Sequence, residues 1–134
     1  MGTNNTTSNG VYLLWLYLPE PMTLTIGKLG TFLFAEGVYA YCGSAQRGLE
    51  KRLARHASLE KNLHWHIDYL RAYTHYLGAV IFTGQPKSGE CWLVQELLRI
   101  PGSYFPVRGF GSSDCRCGAH LLRIPLAYPR QAGD

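Results

Sequence analysis

The feature that most restricts this chain is a change of period between Gly37 and His56. Val38, Ala40 and Cys42 alternate with Tyr39 and Tyr41, a repeat of two that predicts a β-strand. Gly43-Ser44 ends the strand, and Gly48 breaks the chain before a run in which Leu49 and Leu53 recur one helical turn apart. Lys51, Arg52, Arg55 and His56 surround those leucines, so the helix is basic. Strand, turn and basic helix set a tyrosine-bearing strand end beside arginine and histidine. Such a site suits chemistry on an anion.

The rest of the chain is read around that unit. Val11-Tyr-Leu-Leu-Trp-Leu-Tyr-Leu18 is rich in β-formers and is stopped by Pro19 and Pro21, which predicts a central strand covered on both faces. Met22–Ile26 and Thr31–Phe34 flank Gly27-Lys28-Leu29-Gly30, a hairpin turn, so the first third reads as an antiparallel meander. From Leu63 to Tyr73, Leu63, Ile67 and Leu70 stand at helical spacing, with Trp65 and Tyr69 widening the apolar face. His75–Thr83 predicts another buried strand. Ser88 is placed to cap a helix from Glu90 to Ile100 whose core face is Cys91, Val94, Leu97 and Leu98. Ala119–Ile124 predicts an edge strand. The expected fold is α/β (α+β): a small central antiparallel or mixed sheet flanked by about three helices, one domain over residues 10–124, with mobile tails at 1–9 and 125–134.

The 134 residues, 46% of them hydrophobic, suffice for a core. The net charge is only +4, but twelve of the thirteen Lys/Arg residues lie at or after Arg47. Residues 47–61 hold Arg47, Lys51, Arg52, Arg55 and Lys61 against Glu50 and Glu60, a patch that favours polyanions; the bland alternative is a solvated helix face. Cys42, Cys91, Cys115 and Cys117 do not resemble a secreted disulfide framework, and Thr3 to Asn9 does not resemble a signal peptide. No apolar run approaches the roughly 18 residues of a membrane span. The expectation is a cytoplasmic protein with reduced thiols and no membrane partner.

Several short motifs occur in a definite order. Gly10-Val11-Tyr12 opens the first strand, Tyr41-Cys42-Gly43 closes the later one, and Arg52 is followed one turn on by His56. Tyr-Cys-Gly-Ser-Ala stands at 41–45, His-Trp-His-Ile-Asp-Tyr at 64–69, and Gly-Phe-Gly-Ser-Ser-Asp-Cys-Arg-Cys-Gly at 109–118. From Gly10 to Leu122 the chain resembles the GIY-YIG superfamily of nucleases, and more closely a small-domain branch of it whose function is largely unassigned. Two departures stand out. The span from Tyr12 to Tyr41 exceeds that of the better-known nucleases, which an extra hairpin at 22–34 accounts for. No asparagine follows Asn62, where many members carry one near the end.

The resemblance implies metal-dependent hydrolysis of a phosphodiester in nucleic acid, DNA being favoured, at a site of Tyr12, Tyr41, Arg52, His56 and Glu90. Glu90 would hold one Mg²⁺ or Mn²⁺, with Glu96 as the alternative carboxylate. Arg52 would grip phosphate oxygens. Tyr12 or Tyr41 would pass a proton, which requires nearby positive charge because a free tyrosine has a pKa of about 10. His56 would accept a proton or orient a tyrosine. Arg47, Lys51 and Arg55 would bind the backbone, and His64, Asp114 and Arg116 would help wall the substrate. The alternative is a non-catalytic nucleic-acid-binding module on the same fold. A homodimer would let two such sites cut both strands.

A second group, His64, His66, Asp68, Cys115, Cys117 and His120, has the residue types of a zinc site. On a helix His64 and His66 point about 160° apart, and C-x-C-x₂-H is not the usual spacing, so zinc is not expected there. Packing of the 109–118 loop on the second helix, with His64 and Asp68 bonding to its backbone, is expected instead.

Overall fold

The apolar run that Pro19 ends becomes the centre of the molecule. In the structure, a computed structural model that describes residues 8–112 and 117–127, it forms β1 (Gly10–Leu18). The other elements are β2 (Met22–Ile26), β3 (Gly30–Phe34), β4 (Gly37–Ala45), α1 (Leu49–Ala57), α2 (His66–Arg71), β5 (His75–Thr83), α3 (Gly89–Leu98) and β6 (Leu121–Ile124). Four strands make an antiparallel sheet in the order β5-β1-β4-β6. The fold is therefore α+β, with three helices among the described residues, as the sequence predicts.

β1 and β4 send alternate side chains to two separate cores. Tyr12, Leu14, Leu16 and Leu18 join Tyr39 and Tyr41 on one face, under Leu49 of α1, Ile67 and Leu70 of α2, and Phe110. Val11, Leu13 and Tyr17 join Val38, Ala40 and Cys42 on the other, under Leu93, Val94 and Leu97 of α3. Each such large apolar side chain contributes about 1.5–3 kcal/mol on burial. A slip of one residue would exchange the two faces, so double coverage pins the register.

Three expectations are corrected. β1 does not run through a meander into β4; the two pair directly, and β2 and β3 form a two-stranded sheet of their own against α2. Pro19 and Pro21 lack the N–H donors needed to continue a ladder, so the chain leaves the main sheet there. β5 is an edge rather than a buried strand, with Leu77, Val80 and Ile81 exposed, because among the described residues it pairs only with β1. The second helix starts at His66, not Leu63, and Leu63 is exposed. Its start is fixed by Asp68, whose Oδ2 accepts the N–H groups of His64 (2.8 Å) and Trp65 (2.9 Å).

Residues 8 and 9, read as tail, are tied to the fold. The Ser8 carbonyl accepts from Leu49 N, its hydroxyl bonds to Glu50, and the Asn9 carbonyl accepts from Gly84 N. Among the described residues no helix is long and apolar enough to cross a membrane.

Candidate active site

Strand register brings the two tyrosines together. Tyr12 lies opposite Gly43 and Leu14 opposite Tyr41, so the phenols are diagonal neighbours on one face. A Cβ on Gly43 would stand 2.6 Å from Cζ and Oη of Tyr12. The ring of Tyr12 crosses the strand at that point, and only a hydrogen leaves room for it. Gly111 does the same for Tyr41: at φ +73° it adopts a left-handed turn, and a Cβ there would meet Cε1 of Tyr41 at 2.9 Å.

A cavity of about 520 Å³ opens over this face, lined by Tyr12, Tyr41, Ser44, Arg52, Trp65, Glu90 and His120, with Arg47, His64 and Lys87 also contributing. Arg52 reaches it from α1. Its guanidinium donates to the Ser44 carbonyl at 3.0 Å and lies 4.5 Å from the centre of the Trp65 ring. Glu90 comes from the first turn of α3. Its Oε2 accepts from the Ser44 hydroxyl at 2.5 Å, and Oε1 stands 3.6 Å from His120 Nδ1. Ser44 thus links the cation to the carboxylate, through its carbonyl on one side and its hydroxyl on the other.

His56 is buried behind the phenols and does not line the cavity. Its Nε2 is 2.7 Å from Tyr12 Oη, and its ring packs against Tyr41 and Trp65. Burial pushes its pKa down to about 3; the charges of Lys61, Arg52 and Arg55 add to this, and Asp68 opposes it. Its Nδ1 is buried with no hydrogen-bond partner among the described residues, a further penalty on any arrangement of this ring. His56 is therefore neutral and positions Tyr12.

The tyrosines do not meet the condition set for proton transfer. Burial raises Tyr12 well above its ordinary pKa, and Arg52 only partly offsets this. Tyr41 is raised by burial, then by Tyr12 and Glu90. Both are neutral phenols. Exclusion from water outweighs one neighbouring guanidinium.

The sequence over residues 11–132 matches a family described as a domain of unknown function, DUF123. The chain belongs to that family. No curated protein and no solved structure matches it.

The remaining site expectations divide sharply in this DUF123 chain. Arg55 faces away from the cavity: it binds Asp68 through both nitrogens (3.0 and 2.9 Å) and the Asn62 carbonyl. Lys51 is exposed on α1 and does not line the cavity. Glu96 is exposed and paired with Arg99 at 3.7 Å, which leaves Glu90 as the carboxylate on the cavity among the described residues. Asp114, Cys115 and Arg116 lie outside the described residues. The contact expected between His64 and the late loop is made by His66, whose Nδ1 accepts from Gly111 N at 2.8 Å. Asp68 turns inward to Arg55, Lys61 and the start of α2 instead.

Sequence reasoning missed Ser44, Trp65, Lys87 and His120 as cavity residues. Trp65 was assigned to a helix face, but it precedes α2. Ser44 stood in plain view within the 41–45 motif. Reduced thiols were expected, whereas Cys91 and Cys117 are joined in a disulfide and Cys42 is free and buried.

Proposed function

We propose that this DUF123 protein is a divalent-metal-dependent nuclease of the GIY-YIG type, hydrolysing phosphodiesters in DNA. One observation carries the reading: Tyr12, Tyr41, Arg52 and Glu90, from four different elements, line a single cavity. That is the grouping the GIY-YIG resemblance implies, except that His56 lies behind Tyr12 and not on the cavity. Arg47 and Lys87 extend the positive wall, so a phosphate backbone has cations along its path.

The donor set fits a hard cation: one carboxylate, the neighbouring Ser44 hydroxyl, and space for several waters. Mg²⁺ or Mn²⁺ held by Glu90 would supply an activated water and neutralise charge on the phosphorus oxygens. Arg52 holds a non-bridging oxygen with a fork already oriented by Trp65 and the Ser44 carbonyl. When His56 Nε2 accepts the Tyr12 O–H, the phenol oxygen keeps lone pairs for the cavity. Tyr12 then orients the attacking water as a hydrogen-bond acceptor rather than deprotonating it. The reading places the protein in the cytoplasm, with a dimer as the means of cutting both strands.

Incubation of the protein with duplex, nicked and branched DNA in Mg²⁺ or Mn²⁺ tests this. Cutting that disappears in Arg52→Ala and Glu90→Ala supports it; equal background in all three proteins on every substrate overturns it. The raised tyrosines and neutral His56 favour a second reading, a module that binds nucleic acid without cutting it. On that reading Arg52→Ala weakens binding and Glu90→Ala leaves it unchanged.

A further inference from the structure

On the far side of Glu90 Oε1 from Ser44, His120, which also lines the cavity, belongs to a second cluster that the nuclease reading does not use. Cys91 on α3, Cys117 in the late loop and His120 just before β6 bring two sulfurs and Nε2 within 4.8 Å of one another. Nε2 stands 3.1 Å from Cys117 Sγ and 3.9 Å from Cys91 Sγ. A tetrahedral zinc with Zn–S of about 2.3 Å and Zn–N of about 2.0 Å sets S···N near 3.5 Å. The two observed distances bracket that value. The sulfurs are bonded to each other here, and would separate to roughly 3.8 Å around such an ion.

The other ring nitrogen gives a second, separate indication. Nδ1 of His120 stands 3.6 Å from Glu90 Oε1, an ion-pair distance rather than a hydrogen bond. An imidazole with one nitrogen towards thiolates and the other towards a carboxylate is the arrangement of a zinc-ligating histidine with its orienting acid. Two sulfurs and an imidazole nitrogen are a borderline-soft set, suited to zinc rather than to magnesium or calcium. Cys91 was absent from the zinc candidates in the sequence, because it sits far from the late cysteines and on a helix read as core.

We infer that Cys91, Cys117 and His120 bind one zinc ion when the two cysteines are thiols, with Glu90 orienting His120 and water in the fourth position. Opening the disulfide needs a reductant, such as a phosphine. It gives two electrons to the S–S bond and ends as its oxide, while water supplies the oxygen and the two thiol protons. Zn²⁺ then displaces both protons as it binds the thiolates. The inference stands whether or not the cavity cuts DNA, and its test does not use cleavage.

Full-length protein, reduced with a phosphine and stripped by a chelator, is titrated with Zn²⁺ and separately with Co²⁺. One zinc per chain by elemental analysis is expected, with a thiolate-to-cobalt charge-transfer band and the d–d bands of tetrahedral cobalt. The wild-type spectrum alone decides whether thiolates bind the metal, so the test survives variants that fold poorly. Cys91→Ser and His120→Ala should abolish the stoichiometric site, while Cys42→Ser keeps it. Glu90→Gln should weaken zinc about 10–100-fold. No stoichiometric metal on reduced wild type, survival of the site in Cys91→Ser, or its loss in folded Cys42→Ser would each overturn the inference.

Discussion

Arg52 and Arg55 sit one turn apart on α1, and both guanidinium groups lie over the Trp65 ring, at 4.5 and 4.4 Å. Their surroundings make them different residues. Arg55 is held by a buried carboxylate, Asp68, which also takes Lys61 at 3.5 Å and two backbone N–H groups. Arg52 donates to the Ser44 carbonyl, acts on the neutral Tyr12 phenol and faces the cavity, with no carboxylate paired to it among the described residues. A cation matched by a buried anion belongs to the fold, whereas a cation left facing a cavity is available to a ligand. The same division runs through the whole side of α1: Lys61 and buried Arg71 bind the carbonyls that end the helix, at Arg55, His56 and Ala57.

The largest test of this contrast is Asp68→Ala. It leaves Arg55, Lys61 and two N–H groups without their shared acceptor, and should cost about 3–5 kcal/mol in urea unfolding. An equal loss from Arg52→Ala would erase the distinction.

The pH dependence of stability sharpens it next. His56 has a folded pKa of about 3, below its unfolded value, so the unfolded chain takes up the proton first. Its contribution is complete above roughly pH 6.5 and falls as the pH drops towards the folded value, by up to about 1.4 kcal/mol per unit. Burial also lowers His66, which acts in the same window. The difference between wild type and His56→Gln isolates the His56 part, and parallel profiles would refute it. Burial alone would raise Asp68, but Arg55, the Trp65 and His64 N–H groups and Lys61 hold it below the usual range. Its contribution is therefore present above the ordinary aspartate pKa of about 3.9 and lost as the pH falls below it.

Gly43→Ala comes third. The added methyl meets the Tyr12 ring and should cost about 1–3 kcal/mol. Unchanged stability and an unmoved Tyr12 would show that the ring does not need that glycine. The smallest stability effect is Arg52→Ala, below about 1 kcal/mol. If the cavity binds DNA, it should still weaken binding and reduce the salt slope by about 1. Arg55→Ala should change stability more than that slope, and the opposite ranking would invert the comparison.

Much of the fold was legible because burial leaves a period in the sequence. The two-residue alternation of Val38–Cys42 and the leucine spacing of α1 reported strand and helix correctly, although β4 does not end at Gly43-Ser44 but pairs with β1 through to Ala45. The start of α2 was misjudged, since Leu63 and Trp65 continue an apolar pattern while the decisive group, Asp68, acts through hydrogen bonds that periodicity does not record. β5 was taken as buried because its composition suits an interior strand, and an edge position has no mark in composition.

Taken alone, the sequence determined which residue types stood near one another along the chain: the basic helix, the tyrosine-bearing strands, the three ordered motifs and the α+β class. Only the tertiary structure decided which charges were already matched, that His56 lies behind Tyr12 instead of on the cavity, and that Cys91 joins Cys117 and His120. The reason is physical. Secondary structure follows from neighbours a few positions apart, whereas burial, charge pairing and proton affinity are set by groups that meet only after strands far apart in the chain have paired.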